Sequence, residues 1–164
     1  MKKKNNKGFS LIELIIAIAI LVILTGLLAP QFMKYIEKSR HAKDLQTLDM
    51  IYTGVQGALT DEKAVEAVTL STGIYAKVGA LEDGMKLNTI LEKSGADDFA
   101  KELANLIGTK AFELESKEAA SGGEIMVTVN DNLEVGVYYA DKSGKKVDSL
   151  AVGTAAVTET EKTE

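Results

Sequence analysis

The sequence predicts an α+β fold in which a long N-terminal helix, membrane-spanning over one half and amphipathic over the other, packs against a small antiparallel sheet. Three observations predict it. Residues 9–29 are almost wholly apolar, with a single acid, Glu13. Beyond Pro30 the apolar positions Phe32, Ile36, Leu45, Leu48, Tyr52, Val55 and Leu59 recur mostly at threes and fours, with Lys34, Glu37, Lys38, Lys43 and Asp49 between them, the period of a helix with one covered face. From Lys110 the period falls to two, the period of strands.

The first element begins after four lysines, Lys2, Lys3, Lys4 and Lys7. Twenty-one helical residues from Phe9 reach roughly 30 Å, the thickness of a bilayer's hydrocarbon core. A secretory signal has a shorter apolar run that ends at small residues marking a downstream cut. No such site bounds this run. The small-residue break lies upstream at Gly8, where a cut would remove the basic leader and keep the helix. Glu13 has two readings. An acid in an apolar span costs about 2.5–3.5 kcal/mol and by default marks a functional site with a positive partner. Ser10-Leu11-Ile12-Glu13 also fits the capping box that opens a helix, and a first-turn acid suits the helix dipole. The cap leaves unexplained why a charge stands where Gln would serve, and both readings can hold together.

Gly8-Phe9-Ser10-Leu11-Ile12-Glu13, the apolar helix and Pro30 together resemble the type IV prepilin signature, shared by type IV pilins and by the pseudopilins of type II secretion and competence systems. The resemblance covers about the first fifty residues. It implies a pilin-like head, cleavage after Gly8 by a prepilin peptidase, and methylation of the new amino terminus at Phe9, which keeps that ammonium charged. It further implies that Glu13 pairs with the Phe9 ammonium of a neighbouring subunit as the helix enters a filament. Many pilins of double-membraned bacteria carry a C-terminal disulfide, whereas this chain has no cysteine.

Gly26 and Pro30 stand four apart. A helical proline leaves the carbonyl four residues before it without its usual donor and crowds that turn, so a soft spot is expected there; the alternative is an ordinary end of the span with proline opening the next helix. Under the pilin resemblance the segment between them loses helix when subunits pack. Ala17, Ala19 and Gly26 would let neighbouring helices approach closely. The amphipathic half is expected to end around 57–60, giving an element of nearly fifty residues.

The remaining elements follow from local signals. A short helix is expected over 64–70, then a connection through Gly73, Gly79 and Gly84. Helices are expected over 85–93 and 97–107, the second capped by Asp97 and closed by Gly108. Strands are expected where Phe112 and Leu114, then Ile125, Val127 and Val129, then Leu133, Val135, Val137 and Tyr139 alternate with their neighbours. Asn130-Asp131-Asn132 joins the last two, and Ser143-Gly144 offers a turn before Val147. The apolar face of the sheet is expected on the stripe from Phe32 to Leu59. The chain thus divides into a leader at 1–8, a membrane and filament-core helix at 9–30, a head at 31–152 and an acidic disordered tail from Gly153, at 153–164.

Composition narrows function. The formal charge of the 164 residues is −5, and removing the four leader lysines takes it to −9, which argues against nucleic-acid binding by bulk charge. No G-x-S-x-G, P-loop, H-E-x-x-H or cysteine motif occurs, so no catalytic, cofactor or metal site is expected. His41, the only histidine, is expected as a solvated surface residue. Asp97-Asp98 and Asp131 with Asn130 and Asn132 lack calcium-loop spacing, and capping and turn roles account for them. Basic residues flank the span equally, with Lys34, Lys38, Arg40 and Lys43 on the far side, so orientation rests on the resemblance, which puts the N-terminus in the cytoplasm.

The expectation is a structural subunit: a single-pass precursor in the cytoplasmic membrane, then a homopolymer in an extracellular pilus, with prepilin peptidase and the pilus assembly machinery as partners. The alternatives are a minor pilin or pseudopilin of a secretion or competence system, and a single-span surface protein with a binding head that does not polymerise.

Overall fold

The computed structural model describes residues 9–69, 81, 83–120 and 122–156. The expected leader, the glycine connection over 70–80 and the tail beyond residue 156 lie outside the described residues. Contacts divide the chain into two units, Met1–Lys38 and Ser39–Glu164.

One helix, α1, runs over 48 residues, Leu11–Ala58, with Pro30 inside it. In the first unit none of the apolar window of α1 is buried. Phe9, Leu27, Leu28 and Phe32 are each more than three-fifths exposed. By length and composition this helix can cross a membrane.

In the second unit the same helix places Asp44, Leu48, Ile51, Val55 and Ala58 inward, a 4-3-4-3 spacing that keeps one face toward the core. The helix stops where Leu59, Thr60 and Asp61 donate back to the carbonyls of Val55, Gly57 and Ala58. Asp61 then caps α2, Glu62–Thr69, by accepting from the N–H groups of Lys63 and Ala64. The sheet has four antiparallel strands in the order β1-β2-β3-β4: Met85–Lys86, Glu124–Val129, Val135–Ala140 and Lys146–Gly153. Helices α3, Leu87–Glu92, and α4, Asp98–Ile107, lie between β1 and β2 in sequence. Ile125, Val127, Val129, Val135, Val137, Tyr139 and Leu150 join the helical stripe and Phe99, Leu103, Leu87 and Ile90 in one core.

The α+β arrangement is the expected one, and four local expectations change. Phe32 is 68% exposed and Ile36 only half-buried, so the covered stripe begins near Asp44; across the gap from Ile36 to Leu45 the apolar positions move to the other side of the helix, Phe32 standing about 160° from Leu48, so spacing by threes and fours on each side of the gap does not make one face. Phe112 and Leu114 are half-buried against the core but belong to no strand, because alternation reports which side faces inward and not whether a neighbour strand is there to pair. The segment expected as a helix over 85–93 opens as β1, whose Met85 and Lys86 pair with Val127 and Met126. Leu133 leaves the strand for the hairpin turn with φ 60°. That turn is held by the Asn130 side chain, which accepts from the N–H groups of Asn132 and Glu134. After β4, residues Thr154–Ala156 form a 3-10 turn, and the atoms of Thr154 and Ala155 approach Gly136 too closely to leave room for a Cβ there.

Candidate functional site

The N-terminal turn of α1 holds the residues singled out by sequence. Ser10 precedes the first helical residue, its carbonyl accepts the first intrahelical N–H, from Leu14, at 3.2 Å, and its own N–H donates to Glu13 Oε2 at 2.9 Å. This is the return half of a capping box. The capping role of Glu13 is therefore present. The other oxygen, Oε1, has no hydrogen-bond partner among the described residues. Around this carboxylate stand exposed Phe9, Leu11, Ile12, Leu14, Ile15 and Ile16, so a single acid sits in an apolar surface.

Gly8 lies outside the described residues. Phe9 is 86% exposed. Gly26 and Pro30 both lie inside unbroken helix, and beyond the backbone of its own turns no described heavy atom would lie within 4 Å of a Cβ added at Gly26. The structure keeps Phe9, Ser10 and Glu13 within one turn and leaves Gly26 and Pro30 more than three turns further along the same helix.

Sequence reasoning missed a second set, where α1 meets the segment before β2. Asp44 is 1% exposed, and its Oδ1 and Oδ2 accept the backbone N–H groups of Glu115 and Ser116 at 2.7 and 2.8 Å. Beside it Lys43 pairs with the Glu115 carboxylate. His41, expected as merely solvated, has Nε2 at 3.6 Å from Glu118 Oε2, with 30% of its side chain exposed, and Ser149 on β4 donates to the same oxygen. The carboxylate stands between serine and imidazole, so the imidazole does not touch the hydroxyl and the order is not that of a serine–histidine–carboxylate triad. It ties α1 and β4 to one loop. The only available signal for Asp44 was an acid at a position of the apolar stripe, four before Leu48.

A groove of about 330 Å³ lies beside β2, lined among others by Lys86, Asn88, Phe112, Gly123, Glu124 and Tyr139. Three of its polar side chains are engaged: Lys86 pairs with Glu124, and the Tyr139 hydroxyl donates to the Ala119 carbonyl and accepts from the Gly123 N–H. Among the described residues no three His, Asp or Glu side chains gather to hold a metal. Asp97 accepts from Ala100 N–H at the start of α4, and Asn130 serves its turn. Tyr138 is pushed above the usual phenol range by burial, then by the charge of Asp83. Asp141 is held below the usual carboxylate range by the Ser143 hydroxyl and then the Lys145 N–H.

Comparison with known proteins points to the N-terminal end. The family model described as the prokaryotic N-terminal methylation motif matches residues 3–29. A type IV major fimbrial protein FimA of Dichelobacter nodosus is 34% identical over 64 residues, 39% of this chain and 40% of that protein. Another FimA from that organism is 26% identical over 129 residues, 79% of each. A fimbrial protein of Pseudomonas aeruginosa is 27% identical over 92 residues, 56% of each. The match thus spans between two-fifths and four-fifths of the length of these relatives. No solved structure matches.

Proposed function

We propose, for a chain that carries the N-terminal segment of the type IV pilin family, that it is the structural subunit of a type IV pilus. The observation that carries this reading is an apolar helix with none of its window buried and one carboxylate, Glu13, in its first turn. Such a surface requires a cover. Lipid supplies it in the precursor, and identical helices supply it in the filament.

The steps follow from the chemistry of the turn. Prepilin peptidase cuts between Gly8 and Phe9, removes four lysines and creates an ammonium at Phe9, which methylation keeps charged. Lipid tails are as apolar as the helix, so moving the span from lipid to a bundle gains little from hydrophobicity; packing and polar contacts decide. An incoming Phe9 ammonium at Glu13 Oε1 relieves the cost of a lone carboxylate in hydrocarbon, about 2.5–3.5 kcal/mol. Each subunit then offers its ammonium to one neighbour and its carboxylate to another, a head-to-tail contact that grows without closing. The segment between Gly26 and Pro30, already short of one backbone donor, is where the helix yields during packing. The pilus assembly machinery extracts the subunit outward.

Mass analysis of fibres sheared from the cell surface tests the proposal. The expected main component is this chain beginning at N-methylated Phe9. A chain found only as a minor fibre component points to a minor pilin or pseudopilin. Solitary membrane-bound monomers that retain residues 1–8 overturn the proposal in favour of an anchored binding protein.

A further inference from the structure

We propose that Lys34, Tyr35 and Lys38 form a contact for anionic phospholipid at the outer end of the span; the inference rests on the membrane-spanning reading above. At 100° per residue the three fall within an arc of about 100° on one side of α1. All three are exposed, Tyr35 at 70%. Neither lysine has an ion-pair partner among the described residues. Glu37, about 60° outside the arc, is already engaged within the molecule.

Depth places this arc at the headgroups. With residues 9–29 filling the hydrocarbon, Lys34 lies about 7.5 Å beyond its edge at 1.5 Å per residue, within reach of a headgroup layer about 5–7 Å deep. Lys38 lies about 13.5 Å out, but helical side chains lean toward the N-terminus and lie over the preceding turn, which brings its ammonium back toward the membrane. Lysine stems run along apolar surface while the charge seeks phosphate. Tyrosine is enriched at this depth because its ring is apolar and its hydroxyl polar.

Leader removal sharpens the effect. The uncut chain has four lysines before the span and Lys34, Lys38, Arg40 and Lys43 after it. Once residues 1–8 are gone, only the Phe9 ammonium remains on the first side. The basic side chains that hold the mature subunit to headgroups are then all on the side toward which it is withdrawn, and the phosphate contacts at Lys34 and Lys38 retain it there until carboxylates of neighbouring subunits replace them.

The experiment reconstitutes the full chain, and its Lys34→Gln/Lys38→Gln and Glu37→Gln variants, into nanodiscs of equal phosphatidylcholine and phosphatidylglycerol. Native mass spectrometry then counts the lipids retained by the ejected protein. Leader lysines contribute equally to all three chains, so differences report on the arc. Near a membrane surface each lysine contributes about fivefold in preference for anionic lipid, so the double variant is expected to lose phosphatidylglycerol enrichment by up to about thirtyfold, while Glu37→Gln retains it. Equal enrichment in the double variant and the unaltered chain overturns the lipid contact and leaves the spanning helix intact. Failure of all three chains to enter the nanodisc overturns the spanning reading and this inference with it.

Discussion

Asp44 on α1 and Ser116, 72 residues later, are joined by a carboxylate-to-amide hydrogen bond of 2.8 Å in a buried site. With the second bond, to the Glu115 N–H at 2.7 Å, one side chain satisfies two backbone donors that have no ladder to join. Hydrogen bonds to a charged group contribute more than neutral ones, and stranded donors add their own desolvation cost. Asp44→Ala is expected to destabilise the head by about 2–4 kcal/mol. Asp44→Asn, which keeps one acceptor, is expected to cost less. Urea unfolding of the full chain in detergent measures both, and an Asp44→Ala chain as stable as the unaltered one contradicts this account.

Glu13 has a capping role that glutamine can fill, since an amide oxygen also accepts the Ser10 N–H. Glu13→Gln is therefore expected to leave helix content and membrane insertion unchanged. Fibre yield is expected to fall about tenfold or more, the factor that about 1.4 kcal/mol commands at each subunit contact. Circular dichroism, membrane fractionation and shear yield read the three quantities. Normal yield would reduce Glu13 to a cap.

Gly153 has φ 69°, and a Cβ there would run into the Tyr52 ring of α1 and the Val135 carbonyl. Left-handed backbone strain and overpacking act in the same direction. Gly153→Ala is expected to destabilise by about 1–3 kcal/mol, and thermal unfolding reads it directly.

Leu48 and Phe32 are both apolar positions of α1, but they lie about 160° apart around the helix and differ in cover, being 0% and 68% exposed. Leu48→Ala is expected to cost about 2–5 kcal/mol of head stability. Phe32→Ala is expected to stay within about 0.5 kcal/mol while lowering fibre yield. A large loss of head stability from Phe32→Ala would show that the core reaches further along α1 than the structure has it.

Asp141 closes the β3–β4 turn by accepting from the N–H groups of Ser143 and Lys145 and from the Ser143 hydroxyl. Its pKa is lowered in the folded chain, so its contribution is fully present above the unfolded carboxylate value and is lost as pH falls through the lower folded value. Hydrogen exchange at the Ser143 and Lys145 amides is expected to quicken relative to the amides of β4 in that acid range. Asp141→Ala is expected to show the faster exchange at neutral pH already.

What the sequence by itself determined was local. The apolar length from Phe9, the acid one turn in, the Ser10–Glu13 cap, the end of α1 near Gly57, the Asp97 cap and the alternation of Ile125, Val127 and Val129 are set by neighbours three or four residues away, or by hydropathy at a fixed period. The turn that holds Ser10 and Glu13 was legible for that reason. Tertiary structure alone decided which apolar face of α1 is covered, why Asp44 belongs in a core, why Met85 and Lys86 pair as a strand while Phe112 and Leu114 do not, and why Gly153 must be glycine. Each of these depends on a group brought close from a distant part of the chain, such as Ser116 for Asp44 or Tyr52 for Gly153. Periodicity records that a face is apolar, and only the folded chain supplies the surface that meets it.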